Sequence, residues 1–232
     1  MLRIPHVDVP EVLTTLRAQG ATFETISSDP TVRRALWEQQ GQRCAYCERR
    51  LRDPARADHR TRIEHFHPQS SSTWNSDCKR MSGTPSRAKA PTTWSNLLLC
   101  CDGNEMARAD FTCDKSKSNA EICGAFRNPK SWTGDRLVNV DRSGRARPVE
   151  GLPADAVSVI DVVLNLNANH LIAARKLVQS AHLRRLQTQK SRHHGLTASQ
   201  RSQIASQFRT DALKSEYGST LLSLADELAT AL

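Results

Sequence analysis

Aromatic residues make up only 5% of the 232-residue chain, and hydrophobic residues of all kinds 38%. A core can be built from that, but a lean one, and a metal staple would help a small subdomain to hold its shape. No apolar run approaches the ~20 residues a membrane-spanning helix needs, so no membrane span is expected. Met1 to Pro10 lacks the continuous apolar stretch of a secretion signal, which points to a cytoplasmic protein. In that compartment seven cysteines suit metal ligands better than disulfides, and the odd count leaves at least one outside any full pairing. Acidic residues are also scarce: 24 Asp and Glu face 33 Lys and Arg, a formal charge of +9. That balance favours a polyanionic partner, most simply nucleic acid. Internal repeats, a heptad series and a low-complexity tail are missing too.

What is present divides into three parts. Residues 1–42 read as a helical lead-in. Glu11 to Gln19 forms a helix that Gly20 ends, and Asp29-Pro30-Thr31 opens another, with Asp29 or Thr31 as cap. Val32, Leu36 and Trp37 give that helix its apolar face, Gly41 stops it, and Arg33 and Arg34 fall on its solvated side. Residues 43–125 carry the chemistry. They include a charged, turn-rich stretch from Cys47 to Ile63 and a long polar one from Ser70 to Thr93, whose Lys79, Arg80, Arg87 and Lys89 suit phosphates or plain solvation. Residues 126–232 begin with a hairpin over Arg136 to Val149, turning at Ser143-Gly144, and are helical from Ala154. Leu171, Ala174, Val178 and Ala181 repeat on one face, and Thr197 opens a last helical region reaching Leu232. Arg175, Lys176, Arg184, Arg185, Lys190 and Arg192 read as a solvated basic side, with a nucleic-acid or partner face as the alternative. The fold class is α+β.

The cysteines come first in the chemistry. Cys44-x2-Cys47 has the spacing of a zinc knuckle, in which two thiolates at a tight turn share one tetrahedral ion. A second set, Cys100/Cys101 and Cys113, completes four ligands, although eleven residues separate Cys101 from Cys113. The assignment is Cys44, Cys47, Cys101 and Cys113, with Cys100 as the substitute for Cys101. Cys78 and Cys123 remain ordinary thiols. Redox chemistry is disfavoured because no thioredoxin-like βαβ context surrounds the pair.

Between the two sets lies Ile63-Glu64-His65-Phe66. On an extended segment Glu64 and His65 point to opposite sides, so one can hold a cation while the other addresses a water. A histidine is a competent base near neutral pH, and a hard cation such as Mg²⁺ wants carboxylate oxygens. Asp114, beside a zinc cysteine, would be delivered to the same place. Taken alone, Glu64-His65 is no more than a surface ion pair.

CAYCE at 44–48, IEHFHPQS at 63–70, WSNLLLCC at 94–101 and CDKSK at 113–117 together resemble the HNH endonuclease superfamily. More narrowly they resemble the HNH proteins of Septu-type (PtuB-like) and retron defence systems, over about a third of the chain. The stretch Leu164 to Asn167, with Leu171 and Ala174 to Lys176, extends the likeness weakly. The resemblance implies a zinc-stapled ββα-metal core that hydrolyses phosphodiester bonds in DNA with Mg²⁺ or Mn²⁺. It also implies an anti-phage role beside an ATPase subunit of the PtuA type. In those terms His65 is the general base, Glu64 and Asp114 hold the catalytic metal, and Asn96 positions the loop bearing the histidine. The four cysteines hold structural zinc, and Lys117 contacts phosphate or caps structure.

Two departures stand out. The insertion before Cys113 makes Asn104 a rival to Asp114, and His67, on the same face as His65, is structural or peripheral, or else assists or binds phosphate. Two other readings remain open: an HNH nuclease acting on RNA or tRNA, and a non-catalytic zinc module that binds nucleic acid or a partner protein.

Overall fold

The computed structural model describes residues 1–69, 86, 88–192 and 195–230. Ser70, Cys78, Lys79, Arg80, Arg87 and Leu232 lie outside the described residues, as do the side chains of Lys190 and Arg192. The fold is α+β, with two small antiparallel sheets set among helices.

Three helices lead in: α1 (Glu11–Ala18), α2 (Phe23–Ser28) and α3 (Pro30–Gln39). The cap of α3 is Asp29, whose Oδ1 accepts from the Thr31 and Val32 amides at 2.8 and 2.9 Å, while Pro30 occupies the first turn where no amide donor is needed. Val32, Leu36 and Trp37 are buried as their spacing requires. Arg33 departs from the expected solvated side: it is half-buried and its Nη1 donates to the Thr61 carbonyl at 3.0 Å, tying α3 to the segment entering the first strand.

That strand, β1 (Arg62–His65), pairs antiparallel with β2 (Leu97–Cys100), placing Glu64 opposite Leu98 and His65 opposite Leu97. All four β2 residues are buried, so its apolar run reads as a strand covered on both faces. A loop then leads to the short helix α4 (Cys113–Lys117). The hairpin is β3 (Val138–Val140) with β4 (Ala146–Pro148). Its turn forms because Asp141 Oδ1 accepts from the Ser143 and Arg145 amides and Gly144 supplies a φ of +83°.

The rest is helical: α5 (Ala156–Ser158) running into a π-helical turn (Val159–Val163), then α6 (Asn169–Arg192), α7 (Ala198–Ala212) and α8 (Gly218–Thr230). The last helical region is therefore two helices, the first opened by a capping box between Thr197 and Gln200. Arg175 is another exception to the solvated basic side. It is buried and donates to the Gly144 and Leu166 carbonyls.

One hydrophobic cluster takes Leu13, Ile26 and Leu36 from the lead-in, Phe66 and Leu97 to Leu99 from the sheet, and Ile160, Leu164 and Leu171 from the C-terminal part. A second packs Phe208 and Ala212 against Leu221 and Leu224. Among the described residues no helix is long and apolar enough to cross a membrane.

Candidate active site

The knuckle forms first. The Cys44 amide donates to the Arg49 carbonyl and the Glu48 amide to the Cys44 carbonyl, with Glu48 at φ +66°, so the backbone folds back over Cys44 and Cys47. The C-terminal helices clasp this turn. Arg43 donates to the Ala212 and Ser215 carbonyls, and the buried Glu48 carboxylate accepts from the Ser219 amide at 2.8 Å and pairs with the Met1 ammonium.

The eleven-residue insertion closes on itself. Thr112 donates its amide to the Gly103 carbonyl at 3.0 Å, so the chain returns to within one residue of where it left. Gly103 is required there: its φ is +65°, and a Cβ would lie 2.5 Å from the Thr112 carbonyl oxygen. The pinch delivers Cys113 to the knuckle, where Cys44, Cys47, Cys101 and Cys113 come together, all buried.

The test of whether zinc fits is geometric. Bonds of about 2.3 Å to a tetrahedral ion place sulfur atoms roughly 3.8 Å apart. The Cys44–Cys113 and Cys47–Cys101 separations are both 3.8 Å. These four thiols could hold zinc. Arg49 stands beside Cys47 and Cys101; burial opposes its charge, but the two thiolates raise its pKa overall and would gain a counter-charge. Cys100 is not one of the four. It lies buried at the end of β2, where burial pushes its thiol well up and leaves it unreactive.

Glu64 projects from β1 toward the same helix that Cys113 begins. Its Oε1 accepts from Tyr46 Oη at 3.1 Å and pairs with Lys117 Nζ at 2.7 Å. Burial, aided by Asp114, pushes its pKa up to about 8 against the pull of Lys117. Desolvation thus outweighs a close ammonium. Near neutral pH this carboxyl keeps its proton, because burial penalises its charged form. Asn104, the rival to Asp114, is not part of this cluster. It is a left-handed residue whose Nδ2 donates to the Ala109 carbonyl, within the insertion loop.

His65 points the other way from the pleat. Its ring packs on Phe23, centroids 4.1 Å apart, and its Nε2 lies 3.0 Å from the Pro91 carbonyl oxygen. A carbonyl can only accept, so Nε2 carries the proton and Nδ1 keeps the lone pair. Burial lowers the pKa of His65, favouring that neutral form. Asn96 fixes the segment that follows: its Oδ1 accepts from the His67 amide and its Nδ2 donates to the His67 and Ala90 carbonyls. Asn96 touches only backbone, so it positions the histidine loop and holds no reacting atom.

No family model, curated protein or solved structure matches the chain.

For Lys117 and His67 the surroundings fit the structural one of the roles expected for each. Lys117 is fully buried, its ammonium held by Glu64 and by the His65 carbonyl at 3.0 Å, so it braces β1 and does not reach a phosphate. His67 is 5% exposed and lies 3.3 Å from Glu121, an interior position and not a nucleic-acid surface. Three contributors were not read from the sequence: Tyr46, Phe23 and the Pro91 carbonyl. A phenol between two zinc-spaced cysteines was the one available signal. Cys123, expected as an ordinary thiol, is disulfide-bonded.

Proposed function

We propose that the protein is a metal-dependent endonuclease of the HNH type, hydrolysing phosphodiester bonds in DNA from a ββα-metal core made of β1, β2 and α4. The observation that carries this reading is a buried carboxyl, Glu64, held by Tyr46 and Lys117 and influenced by Asp114, next in chain to a histidine with one tautomer fixed. A surface ion pair, the bland account of Glu64-His65, does not describe two buried side chains.

Mg²⁺ or Mn²⁺, when bound, would supply positive charge to the phosphate, and Glu64 and Asp114 are the residues that would hold it. The buried Glu64 carboxyl fits such a cation, whose charge would offset the desolvation that holds its proton. His65 Nδ1 takes the proton of the attacking water, and Nε2–H remains on the Pro91 carbonyl, which stabilises the imidazolium that forms. Lys117 offsets the charge of Glu64 once its proton has left. The four-cysteine cluster fixes α4, and with it Asp114, against β1. The net charge of +9 draws the polyanion. The setting in anti-phage defence beside a PtuA-type ATPase belongs to the same proposal and rests on the motif resemblance.

The substrate is tested with matched DNA and RNA duplexes and single strands under Mg²⁺ or Mn²⁺. Cleavage of DNA is expected. Cleavage of RNA alone would reassign the substrate, and binding without cleavage of either would favour the zinc module.

A further inference from the structure

Outside the proposed active site, three ligand-type side chains converge beneath the lead-in. His67, Glu121 and Cys123 place a ring nitrogen, a carboxylate oxygen and a sulfur within 4.8 Å of one another. His67 Nδ1 is 3.3 Å from Glu121 Oε2. That is long for an N–H···O hydrogen bond, whose usual range ends near ~3.2 Å. It matches the edge of a tetrahedron with metal bonds of about 2.0–2.1 Å, which is roughly 3.3–3.4 Å.

The surrounding contacts hold the ligands in place. Glu121 Oε1 accepts from the Cys123 amide at 2.9 Å, which orients the carboxylate, and the Asn96 clasp grips the His67 backbone on both its amide and its carbonyl. The His67 and Glu121 side chains are 6% and 10% exposed, so they are not a chance grouping of surface charges. A cavity of about 490 Å³ borders both His67 and Cys123, giving an ion a path in and a face toward water or an anion.

We propose that His67, Glu121 and Cys123 form a second metal site, of zinc class, that becomes available when the disulfide of Cys123 is reduced. In the oxidised form the Cys123 sulfur is committed to its disulfide. A dithiol reductant delivers two electrons and two protons, breaks the S–S bond, leaves Cys123 as a thiol and becomes a disulfide itself. The thiol then passes its proton to solvent as Sγ binds the ion beside His67 Nδ1 and a Glu121 oxygen. The ion would brace His67 itself, the residue gripped by the Asn96 clasp that also holds Ala90, next to the carbonyl that orients His65.

The test uses the full-length protein loaded with zinc, with and without dithiothreitol under argon, freed of excess metal and assayed for zinc per chain. Two zinc ions per chain are expected after reduction and one before it. Reduced C123S and H67A should hold one, and Glu121→Gln serves where His67→Ala fails to fold. Alkylation of Cys123, read by peptide mass, should slow at least tenfold when zinc is added to the reduced wild type. One zinc per reduced wild-type chain, two in the reduced variants, or an alkylation rate unmoved by zinc would each overturn the proposal.

Discussion

Replacing Asn96 with alanine removes the side chain that holds the histidine loop. Asn96 is 0% exposed and makes three hydrogen bonds: from the His67 amide at 2.8 Å, to the His67 carbonyl at 3.1 Å and to the Ala90 carbonyl at 3.0 Å. Alanine leaves one N–H and two carbonyls inside the protein. Each lost bond is worth about 1 kcal/mol net, and an orphaned buried group costs about 1–3 kcal/mol. With partial relaxation the total is about 3–5 kcal/mol. The backbone bonds from Phe66 to Asn96 and from Asn96 to Thr93 survive, so the loss is local to the clasp. Urea unfolding followed by circular dichroism should show the midpoint falling by roughly 1 M or more, at an m-value of about 3 kcal/mol/M. Zinc at the four cysteines should be unchanged, since none of them touches the clasp. A loss below about 1 kcal/mol would refute the reasoning, because residues 65–67 would then be held by something else.

Cys113→Ser should lose zinc and melt cooperatively at much lower temperature, because a structural site contributes on the order of 10 kcal/mol to folding. Cys100→Ser should keep its zinc, and equal zinc loss in both variants would undo the ligand assignment. Lys117→Met should cost little at pH 6, where Glu64 is protonated. Its cost should grow above pH 8, by at most about 1.4 kcal/mol per pH unit, because Glu64 is pushed up to about 8 and needs the ammonium only once ionised. A cost independent of pH in urea titrations would contradict this. The base form of His65 is the neutral one, and burial lowers its pKa from the ordinary 6.5. The acid limb of the pH–rate profile should therefore fall below pH 6.5, and a limb above it would show that another group is the base.

How much could be read in the chain depended on how tightly chemistry constrains each residue. Cys44, Cys47 and Cys113 were legible because thiolates at that spacing have few uses, and Asp29 and Ser143-Gly144 because caps and turns need particular side chains. The choice of Cys101 over Cys100 follows from the end of β2 and the Gly103–Thr112 pinch, which no local pattern announces. Asn104 is bound within the insertion loop, its side chain donating to the Ala109 carbonyl, an arrangement that no local pattern announces either. Arg33 and Arg175 were misjudged because a cation is ordinarily solvated, and their partners are backbone carbonyls outside their own helices. Helix α2 has only six residues, too few for periodicity to register.

The central claim is that His65 is the base of a metal-dependent phosphodiesterase. It is tested most directly by plasmid cleavage with Mg²⁺ or Mn²⁺, comparing wild type with His65→Ala and measuring zinc on both. Cleavage by the wild type and at least a hundredfold less by the variant, with equal zinc, is the predicted result. Equal cleavage by the two proteins at equal zinc would contradict it.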